Sequence, residues 1–339
     1  MFFRPEAANG AILHCSPMSV PFIQDFIAAD MRAVDAVIRN RLASDVALVR
    51  EVAEYIVGSG GKRLRPALVI LSAGAFGYQG KHHHHLAAVV EFIHTATLLH
   101  DDVVDGSELR RGNPTANALF GNAASVLVGD FVYSRAFQMM VEVESMRVMK
   151  VLAEATNVIA EGEVLQLMNC HNTDIGEHDY LQVIRFKTAK LFEAATRLGA
   201  ILGGATSDQE AAMATYGMHL GTAFQLIDDV LDYSGDHMTM GKNVGDDLSE
   251  GKATLPLIFA IKQGSNDEAA LIRKAIKEGG LDELGEVLSA ISRTGALDYT
   301  RRQAETEVLS AKQALSGLSD TQYREYLMKL ADFAVSRDH

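Results

Sequence analysis

Two aspartate clusters of matching spacing are the residues in this sequence best suited to carry chemistry. One reads DDVVD from Asp101 to Asp105, and the other reads DDVLD from Asp228 to Asp232. In a helix, side chains four residues apart share a face, and like charges there destabilise the helix unless a cation compensates them. Hard carboxylate oxygens suit Mg²⁺, which keeps some water and completes its octahedron with phosphate oxygens. The pair therefore predicts bound magnesium and a bound diphosphate. The candidate ligands are Asp101, Asp102, Asp105, Asp228, Asp229 and Asp232.

The sequence before each cluster supports this interpretation. IHTATLLH precedes the first cluster and GTAFQLI precedes the second, so each cluster lies near the end of an apolar helical segment. Carboxylates in such surroundings are unusual and costly unless they have a partner. A single DDxxD motif in an acidic protein is more often a solvated helix terminus, but two matching motifs behind two apolar segments favour a metal site.

Basic residues that could hold a second anion are concentrated in two short segments. The first is GGKRLRP, with Lys62, Arg63 and Arg65, and the second contains Arg110 and Arg111. The glycines let the backbone approach a phosphate, the proline suits the first turn of a helix, and arginine binds phosphate in a bidentate manner. A basic loop is more often simply solvated, so these segments gain weight from the aspartate clusters.

A histidine is aligned with the first aspartate cluster. His94 lies two helical turns before Asp101 and therefore on the same face of the helix. A lone histidine is more often part of a core, but this one can face the same cavity as the aspartates.

The elements that must position these residues are helices. From Pro21 onward, apolar residues recur at three- and four-residue spacing, and the alternation typical of hairpins is almost absent. The predicted helices are 21–43, 46–57, 65–77, 84–104, 122–142, 146–170, 178–204, 208–235, 253–263 and several after residue 268. Capping-box spacing of Ser207 with Glu210, and of Ser319 with Gln322, predicts two of the helix starts. We expect an all-α fold.

The chain is predicted to form one domain. It has 339 residues, of which 48% are apolar, and it has no Pro-rich or Ser-rich linker. Residues 1–17 precede Met18 and the first strong helical pattern, so we expect a flexible extension or an upstream start choice, with the helical domain at 18–339. The run His82–His85 opens a predicted helix, and we interpret it as solvated, without a metal role.

Composition excludes several classes of function. Lys plus Arg number 31 against 44 Asp plus Glu, and the net charge of −13 argues against a general nucleic-acid or anionic-membrane surface. No apolar run is long enough to span a bilayer, so membrane contact would be peripheral. The two cysteines, Cys15 and Cys170, cannot form a disulfide framework. We recognise no signal peptide and expect a cytoplasmic protein.

Together, these motifs resemble those of the trans-isoprenyl diphosphate synthases, most closely their long-chain bacterial branch. In chain order they are GGKRLRP, EFIHTATLLHDDVVDGSELRRGNPTAN, EGEVLQL, KTAKLFEAA, GTAFQLIDDVLDY and GKNVGDDLSEGKATLPL. The likeness covers nearly the whole chain. It implies a large helical bundle around a central cavity, usually a homodimer, in which the two aspartate clusters face each other.

The resemblance also implies roles for individual residues. The six aspartates would hold Mg²⁺, two or three ions per site, on an allylic diphosphate such as farnesyl diphosphate. Isopentenyl diphosphate would be bound by Lys62, Arg65, His94 and Arg111. The allylic diphosphate would be contacted by Arg110, Lys187, Lys242 and Lys252, and the oxygens of Thr188 and Gln225 would face the allylic cation.

The reaction implied by the resemblance requires no protein nucleophile. Magnesium and the basic side chains would stabilise the charge on the departing pyrophosphate, and the isopentenyl double bond would attack the allylic cation. A proton would then be lost to the pyrophosphate. In agreement, the sequence has neither a convincing Ser-His-Asp set nor a reactive cysteine site.

Product length would be set along the helix that carries Asp101. Ala96 and Thr97 lie about 6–8 Å before this aspartate, and both are small, so the cavity is not expected to close there. Met139 or Met140 would form a deeper floor, with ordinary core packing as the alternative. The resemblance favours a product of eight isoprene units for a quinone side chain, with seven or nine units left open.

Other functions fit parts of the pattern. A class I terpene cyclase has a similar cavity and first aspartate motif, but it should lack GGKRLRP and a full second DDVLD. A non-catalytic partner subunit of a two-component synthase should have lost metal ligands, whereas all six aspartates are present here. A metal phosphohydrolase would need no isopentenyl site.

Overall fold

The computed structural model describes residues 23, 25–58, 61–110, 112–234, 244–279 and 281–337, and most of them are helical. The first helices are α1 (Ala28–Arg41), α2 (Ala47–Gly58), α3 (Leu64–Ala75), α4 (His82–Val104), α5 (Ala116–Phe120), α6 (Asn122–Val141) and α7 (Met146–Asn169). They are followed by α8 (Glu177–Ile184), α9 (Lys190–Leu202), α10 (Ser207–Ser234), α11 (Asp246–Ser249), α12 (Leu255–Gln263), α13 (Asn266–Glu278), α14 (Leu284–Thr294), α15 (Ala296–Ala314) and α16 (Gln322–Ser336). The all-α prediction is confirmed.

Short irregular elements connect some of these helices. A π-helical turn, Arg185–Ala189, joins α8 to α9, and a 3₁₀ turn, Leu315–Gly317, follows α15. Two two-residue strands, β1 (Leu109–Arg110) and β2 (Asn113–Pro114), pair in antiparallel register after α4. The strands matter because they turn the chain back on itself beside the first aspartate cluster.

The core is built mainly around α4, α9 and α10. In α4 the buried residues include Leu86, Val90, Ile93 and Leu99, so the middle of this helix is covered on nearly all sides. Full burial of each such side chain contributes about 1.5–3 kcal/mol to folding. A second, smaller cluster of buried residues joins the helices α12, α13 and α14. The two aspartate clusters lie near the C-terminal ends of the long helices α4 and α10.

Two predicted helix starts are shifted. Helix α10 is capped by Thr206, whose hydroxyl accepts a hydrogen bond from the backbone N of Gln209 at 3.3 Å, while the Gln209 side chain accepts one from the backbone N of Thr206 at 2.9 Å. The predicted partner, Glu210, is instead held by Arg147 and Arg197. Because the Glu210 carboxylate is bound in this ion-pair network, the capping box forms between Thr206 and Gln209 instead.

The cap of α16 also differs from the predicted one. The hydroxyl of Thr321 accepts a hydrogen bond from the backbone N of Arg324 at 3.2 Å, so the N-cap lies two residues after the predicted Ser319. Helix α4 begins at His82, so the histidine run forms its first turn. Within the described ranges, no helix is long and apolar enough to cross a membrane. Residues 1–17 lie outside these ranges, and their role as an extension stays a prediction, as does the single domain at 18–339.

Candidate active site

The first aspartate cluster lies at the C-terminal end of α4. Asp102 is fully buried, and the guanidinium of Arg110 donates two hydrogen bonds to its Oδ1, at 3.0 Å from Nε and 2.6 Å from Nη2. The turn between α4 and β1 makes this contact possible because it brings Arg110 back over the helix end. Asn117 supports the same turn by donating a hydrogen bond to the Asp102 carbonyl at 3.1 Å. A single arginine thus neutralises the most buried carboxylate of the cluster.

The other two carboxylates of this cluster are paired with lysines. Lys187 Nζ lies 3.5 Å from Asp101 Oδ2 and donates a hydrogen bond to Glu163 at 2.6 Å. Lys252 Nζ donates to Asp105 Oδ2 at 3.0 Å and contacts Glu250 as well. Each lysine therefore serves two acidic groups, and the site carries more negative than positive charge.

The pKa values reflect this imbalance. Burial raises the pKa of Asp101 above its usual range, and burial raises the pKa of Glu163 to about 7, although Lys187 opposes both shifts. Burial alone would lower the pKa of Lys187, but the Asp101 and Glu163 carboxylates raise it by more. Lys187 therefore stays charged, and Asp101 and Glu163 share its single positive charge.

The second aspartate cluster lies near the C-terminal end of α10 and is held by a chain of hydrogen bonds. The Thr188 hydroxyl donates to Gln225 Oε1 at 3.0 Å, and Gln225 Nε2 donates to Asp229 Oδ1 at 2.8 Å. The hydroxyl of the buried Tyr180 donates to the other oxygen, Asp229 Oδ2. Burial, with Asp247 nearby, raises the pKa of Asp229 well above its usual range. The orientation of this carboxylate is fixed on both sides.

Lys187 and Thr188 occupy the π-helical turn between α8 and α9. A Cβ on Gly162 of α7 would lie 2.7 Å from the backbone N of Lys187, and a Cβ on Gly221 of α10 would lie 2.6 Å from Cα of Ala189. Both glycines are therefore needed for the turn to sit between α7 and α10. Single π-helical turns are rare and occur frequently at functional sites.

A cavity of about 150 Å³ lies beside Asp229 of the second cluster. Its lining also includes Lys187 and Lys252, which are paired with the first cluster, and Gln225, which donates a hydrogen bond to Asp229. Asp247 and Cys170 also line it. One cavity is therefore lined both by a carboxylate of the second cluster and by the lysines paired with the first.

Two aromatic side chains, Phe192 and Phe224, connect Arg65 of the segment GGKRLRP with the second cluster. The Arg65 guanidinium lies 4.7 Å from the Phe192 ring centroid, and the Phe192 and Phe224 centroids are 5.6 Å apart. On the far side, the Arg337 guanidinium stacks on Phe224 at 3.6 Å and donates a hydrogen bond to Asp228 Oδ1 at 2.6 Å. Cation–π contacts of this kind contribute about 0.5–2 kcal/mol each. Arg65 and the second cluster are thus joined through packed side chains.

The remaining predicted residues are placed as follows. Lys62 lies just before α3, and His94 is half-buried in the middle of α4. Arg111 and Lys242 lie outside the described residues. The four residues predicted to set product length are Ala96, Thr97, Met139 and Met140. They are packed in or against the core and do not line this cavity. Their role stays a prediction.

Several residues that hold predicted site residues were not themselves predicted from the sequence. Glu163 holds Lys187, Glu250 contacts Lys252, Tyr180 holds Asp229, and Arg337 holds Asp228. Glu163 and Glu250 left a signal, because they lie within the motifs EGEVLQL and GKNVGDDLSEGKATLPL. Tyr180 and Arg337 are isolated residues whose importance depends on helices that meet only in the folded chain.

The donor set of the first cluster fits a hard divalent cation such as Mg²⁺. Its ligand atoms are all carboxylate oxygens, which this ion prefers. Within the described part of the chain, Asp102 Oδ2 is buried and has no hydrogen-bond partner. A buried acceptor without a partner is costly, and a cation would satisfy it.

The chain matches known proteins along most of its length. The family model for polyprenyl synthetase matches residues 46–292. Octaprenyl diphosphate synthase of Escherichia coli (strain K12) is 55% identical over 322 residues, covering 95% of this chain and all of that protein. An all-trans-nonaprenyl-diphosphate synthase (geranyl-diphosphate specific) of Rhodobacter capsulatus is 46% identical over 324 residues, 94% of this chain and 99% of that protein.

A solved structure shows the same fold. The polyprenyl synthase of Caulobacter crescentus CB15, complexed with calcium and isoprenyl diphosphate, superposes with a TM-score of 0.91. It is 47% identical in sequence, and the match covers 96% of this chain and 99% of that one.

Proposed function

The chain belongs to the polyprenyl synthetase family, and on that premise we propose that it adds isopentenyl diphosphate units, head to tail, to an allylic diphosphate. It is a trans-prenyltransferase of a family that uses Mg²⁺. The proposed product is a long-chain all-trans polyprenyl diphosphate, made from a primer such as farnesyl diphosphate. The observation that carries the proposal is the cavity whose lining includes the two lysines paired with the first aspartate cluster and the hydrogen-bond chain that holds Asp229 of the second.

The six aspartates are the proposed ligands of two or three Mg²⁺ ions, which when bound would neutralise diphosphate charge as a Lewis acid. Lys187 and Lys252 lie on the cavity wall, where their ammonium groups would bind the allylic diphosphate and stabilise the departing pyrophosphate. Arg110 is now bound to Asp102, and its guanidinium would become available to the diphosphate once that carboxylate is otherwise compensated. Lys242 is proposed to join this set.

The oxygens of Thr188 and Gln225 are proposed to face the allylic cation. Their hydrogen bond, at 3.0 Å, fixes the direction of both dipoles before substrate binds. Such preorganised dipoles stabilise a developing charge without reorganisation during the reaction. The second substrate, isopentenyl diphosphate, is assigned to Lys62, Arg65, His94 and Arg111.

A product of eight isoprene units, used as a quinone side chain, is the proposed length. The relative that supports it is named octaprenyl diphosphate synthase and is 55% identical, while the relative named nonaprenyl diphosphate synthase is 46% identical. Ala96 and Thr97, one turn before Asp101 on α4, have small side chains, so the proposed product cavity would not close there. Met139 or Met140 is the proposed floor of that cavity.

A homodimer and a cytoplasmic location are also part of the proposal. Helix α7 carries an exposed apolar stripe of Val164, Leu167 and Met168, which are 58%, 60% and 72% exposed. Spacing of three and four residues places them on one face, and a second copy of the chain would cover it.

One assay distinguishes the proposed function from two alternatives, a terpene cyclase and a subunit that needs a partner. Purified protein is incubated with farnesyl diphosphate, labelled isopentenyl diphosphate and Mg²⁺, with and without a chelator, and product length is measured. We expect metal-dependent elongation to about eight units. Cyclised product without isopentenyl incorporation would indicate a terpene cyclase, and inactivity of the isolated chain would indicate a subunit that needs a partner. Elongation that stops early would contradict only the proposed length.

A further inference from the structure

The histidine run at the start of α4 meets an aspartate from another helix. His84 Nε2 lies 2.8 Å from Oδ1 of Asp30 in α1, and His83 Nε2 lies 3.4 Å from the same oxygen. The side chains of Asp30, His83 and His84 are 32%, 12% and 18% exposed, so they are mostly enclosed. His83 and His84 are therefore less exposed to solvent than the sequence predicted.

The arrangement has the dimensions of a metal site. The donor atoms of Asp30, His83 and His84 all lie within 4.8 Å of one another. A tetrahedral ion with bonds of about 2.0–2.1 Å has ligand atoms roughly 3.3 Å apart, and the two measured Nε2–Oδ1 distances lie on either side of that value. Two imidazoles and one carboxylate leave a fourth position for water.

We propose that Asp30, His83 and His84 bind one divalent transition-metal ion of the zinc class. Imidazole nitrogens suit Zn²⁺, Co²⁺, Ni²⁺ and Cu²⁺, whereas Mg²⁺ prefers oxygen ligands throughout. The ion and the Mg²⁺ of the aspartate clusters are thus distinguished by ligand type.

The site is remote from the proposed chemistry. His83 and Asp101 lie on the same helix, and 18 residues at 1.5 Å per residue separate them by roughly 27 Å. A bound ion would tie α1 to the first turn of α4, since Asp30 and the histidines come from different elements. The consequence is greater resistance to unfolding, with chain elongation unchanged.

The test measures metal binding by untagged, full-length protein in excess Mg²⁺, which occupies the oxygen-rich aspartate clusters. Co²⁺ is the probe, because its visible absorption is strong in a four-coordinate site with imidazole ligands and weak in an octahedral oxygen site. The variant is H83Q/H84Q, and the matched control is H82Q/H85Q, which removes the same number of histidines outside the cluster. D30N is a second variant that leaves the histidines in place.

We expect one equivalent of Co²⁺ to give strong visible absorption and to be displaced by Zn²⁺. The control should bind as the parent does, while H83Q/H84Q and D30N should bind at least about tenfold more weakly. Zn²⁺ should raise the melting temperature of the parent and the control but not that of H83Q/H84Q. Equal binding by the parent and H83Q/H84Q, or a parent that gives no such absorption, would overturn the proposal.

Discussion

At the scale of single residues, the site is organised around cations that each serve two acids. Lys187 lies between Asp101 and Glu163, and Lys252 lies between Asp105 and Glu250. Breaking a buried pair by removing one partner costs about 3–5 kcal/mol, because the other charge is left uncompensated. The surplus of negative charge favours the binding of divalent cations.

The pKa of Glu163 predicts a pH-dependent stability of the protein without metal or substrates. Its value of about 7 in the folded state exceeds that of an exposed glutamate, so the folded state binds more protons between about pH 4.5 and 7. The free energy of unfolding should therefore fall as the pH rises through this window. We expect E163Q to remove up to about 2–3 kcal/mol of that fall, measured by urea unfolding at several pH values.

The matched control for E163Q is E154Q, because Glu154 is a more exposed glutamate on the same helix, with a 48% exposed side chain. This control should keep the pH dependence of the parent. A profile of E163Q that follows the parent would show that Glu163 does not hold its proton in the folded state.

The hydroxyl of Tyr180 is predicted to position Asp229 for metal binding. In Y180F the ring still fills its place, but Asp229 loses one of its two hydrogen bonds, worth about 1–3 kcal/mol at a buried carboxylate. We expect the Mg²⁺ concentration for half-maximal activity to rise about fivefold or more. The control is Y216F, since Tyr216 is also fully buried but donates its hydrogen bond to the Leu327 carbonyl. Equal Mg²⁺ dependence of the two variants would contradict the role of Tyr180.

At the scale of elements, the π-helical turn decides where Lys187 and Thr188 point. An α-helical path through Arg185–Ala189 would rotate the following side chains relative to α7 and α10. The turn fits because Gly162 and Gly221 leave space for its backbone. The π-helical geometry and the close packing of the turn against Gly162 and Gly221 together place the side chains of Lys187 and Thr188 at the cavity.

Gly162→Ala is predicted to disrupt this element. The added Cβ would lie 2.7 Å from backbone N of Lys187, and because backbone cannot move aside as a side chain does, α7 and the turn must separate. We expect a loss of stability of about 1–3 kcal/mol with a loss of elongation activity, followed by thermal melting and the prenyl transfer assay. Gly285→Ala in α14 is the control, since its Cβ would meet nothing within 4 Å. Similar melting temperatures and activities for the two variants would refute this account.

At the scale of the whole molecule, each aspartate cluster is completed by a contact with a residue distant in sequence. Lys252 reaches Asp105 across 147 positions, and Arg337 reaches Asp228 across 109. The C-terminal end of α16 thus completes a site whose first residues come from α4. Helix α16 also packs on α3, which carries Arg65.

The exposed apolar stripe on α7, formed by Val164, Leu167 and Met168, is predicted to be a homodimer interface. If a second copy covers it, Leu167→Asp should give a monomer in size-exclusion chromatography with light scattering, because a buried unpaired carboxylate opposes association. The control is Leu309→Asp, where the side chain is 68% exposed but belongs to a different helix, α15. A parent protein that is monomeric, or a Leu167→Asp variant that stays dimeric, would rule out this interface.

The sequence by itself determined the fold class, and it identified the two aspartate clusters as candidate metal ligands. The three- and four-residue apolar spacing is a local property of each helix, so helices such as α6 and α7 begin at the predicted residues and end within one residue of prediction. The two DDxxD motifs could be recognised because their carboxylates come from one helical turn each. Family motifs added Lys187, Thr188, Gln225 and Lys252, which the structure places at the cavity.

Only the tertiary structure decided what neutralises each carboxylate. The pairs of Arg110 with Asp102, Tyr180 with Asp229 and Arg337 with Asp228 depend on how α4, α8, α10 and α16 approach one another. The capping box of α10 changed for the same reason, because Glu210 is taken by two arginines from other helices. Likewise, His83 and His84 gained an acidic partner from α1. Such contacts leave no periodic signal in the sequence, since their energy arises only when distant segments exclude water from the same space.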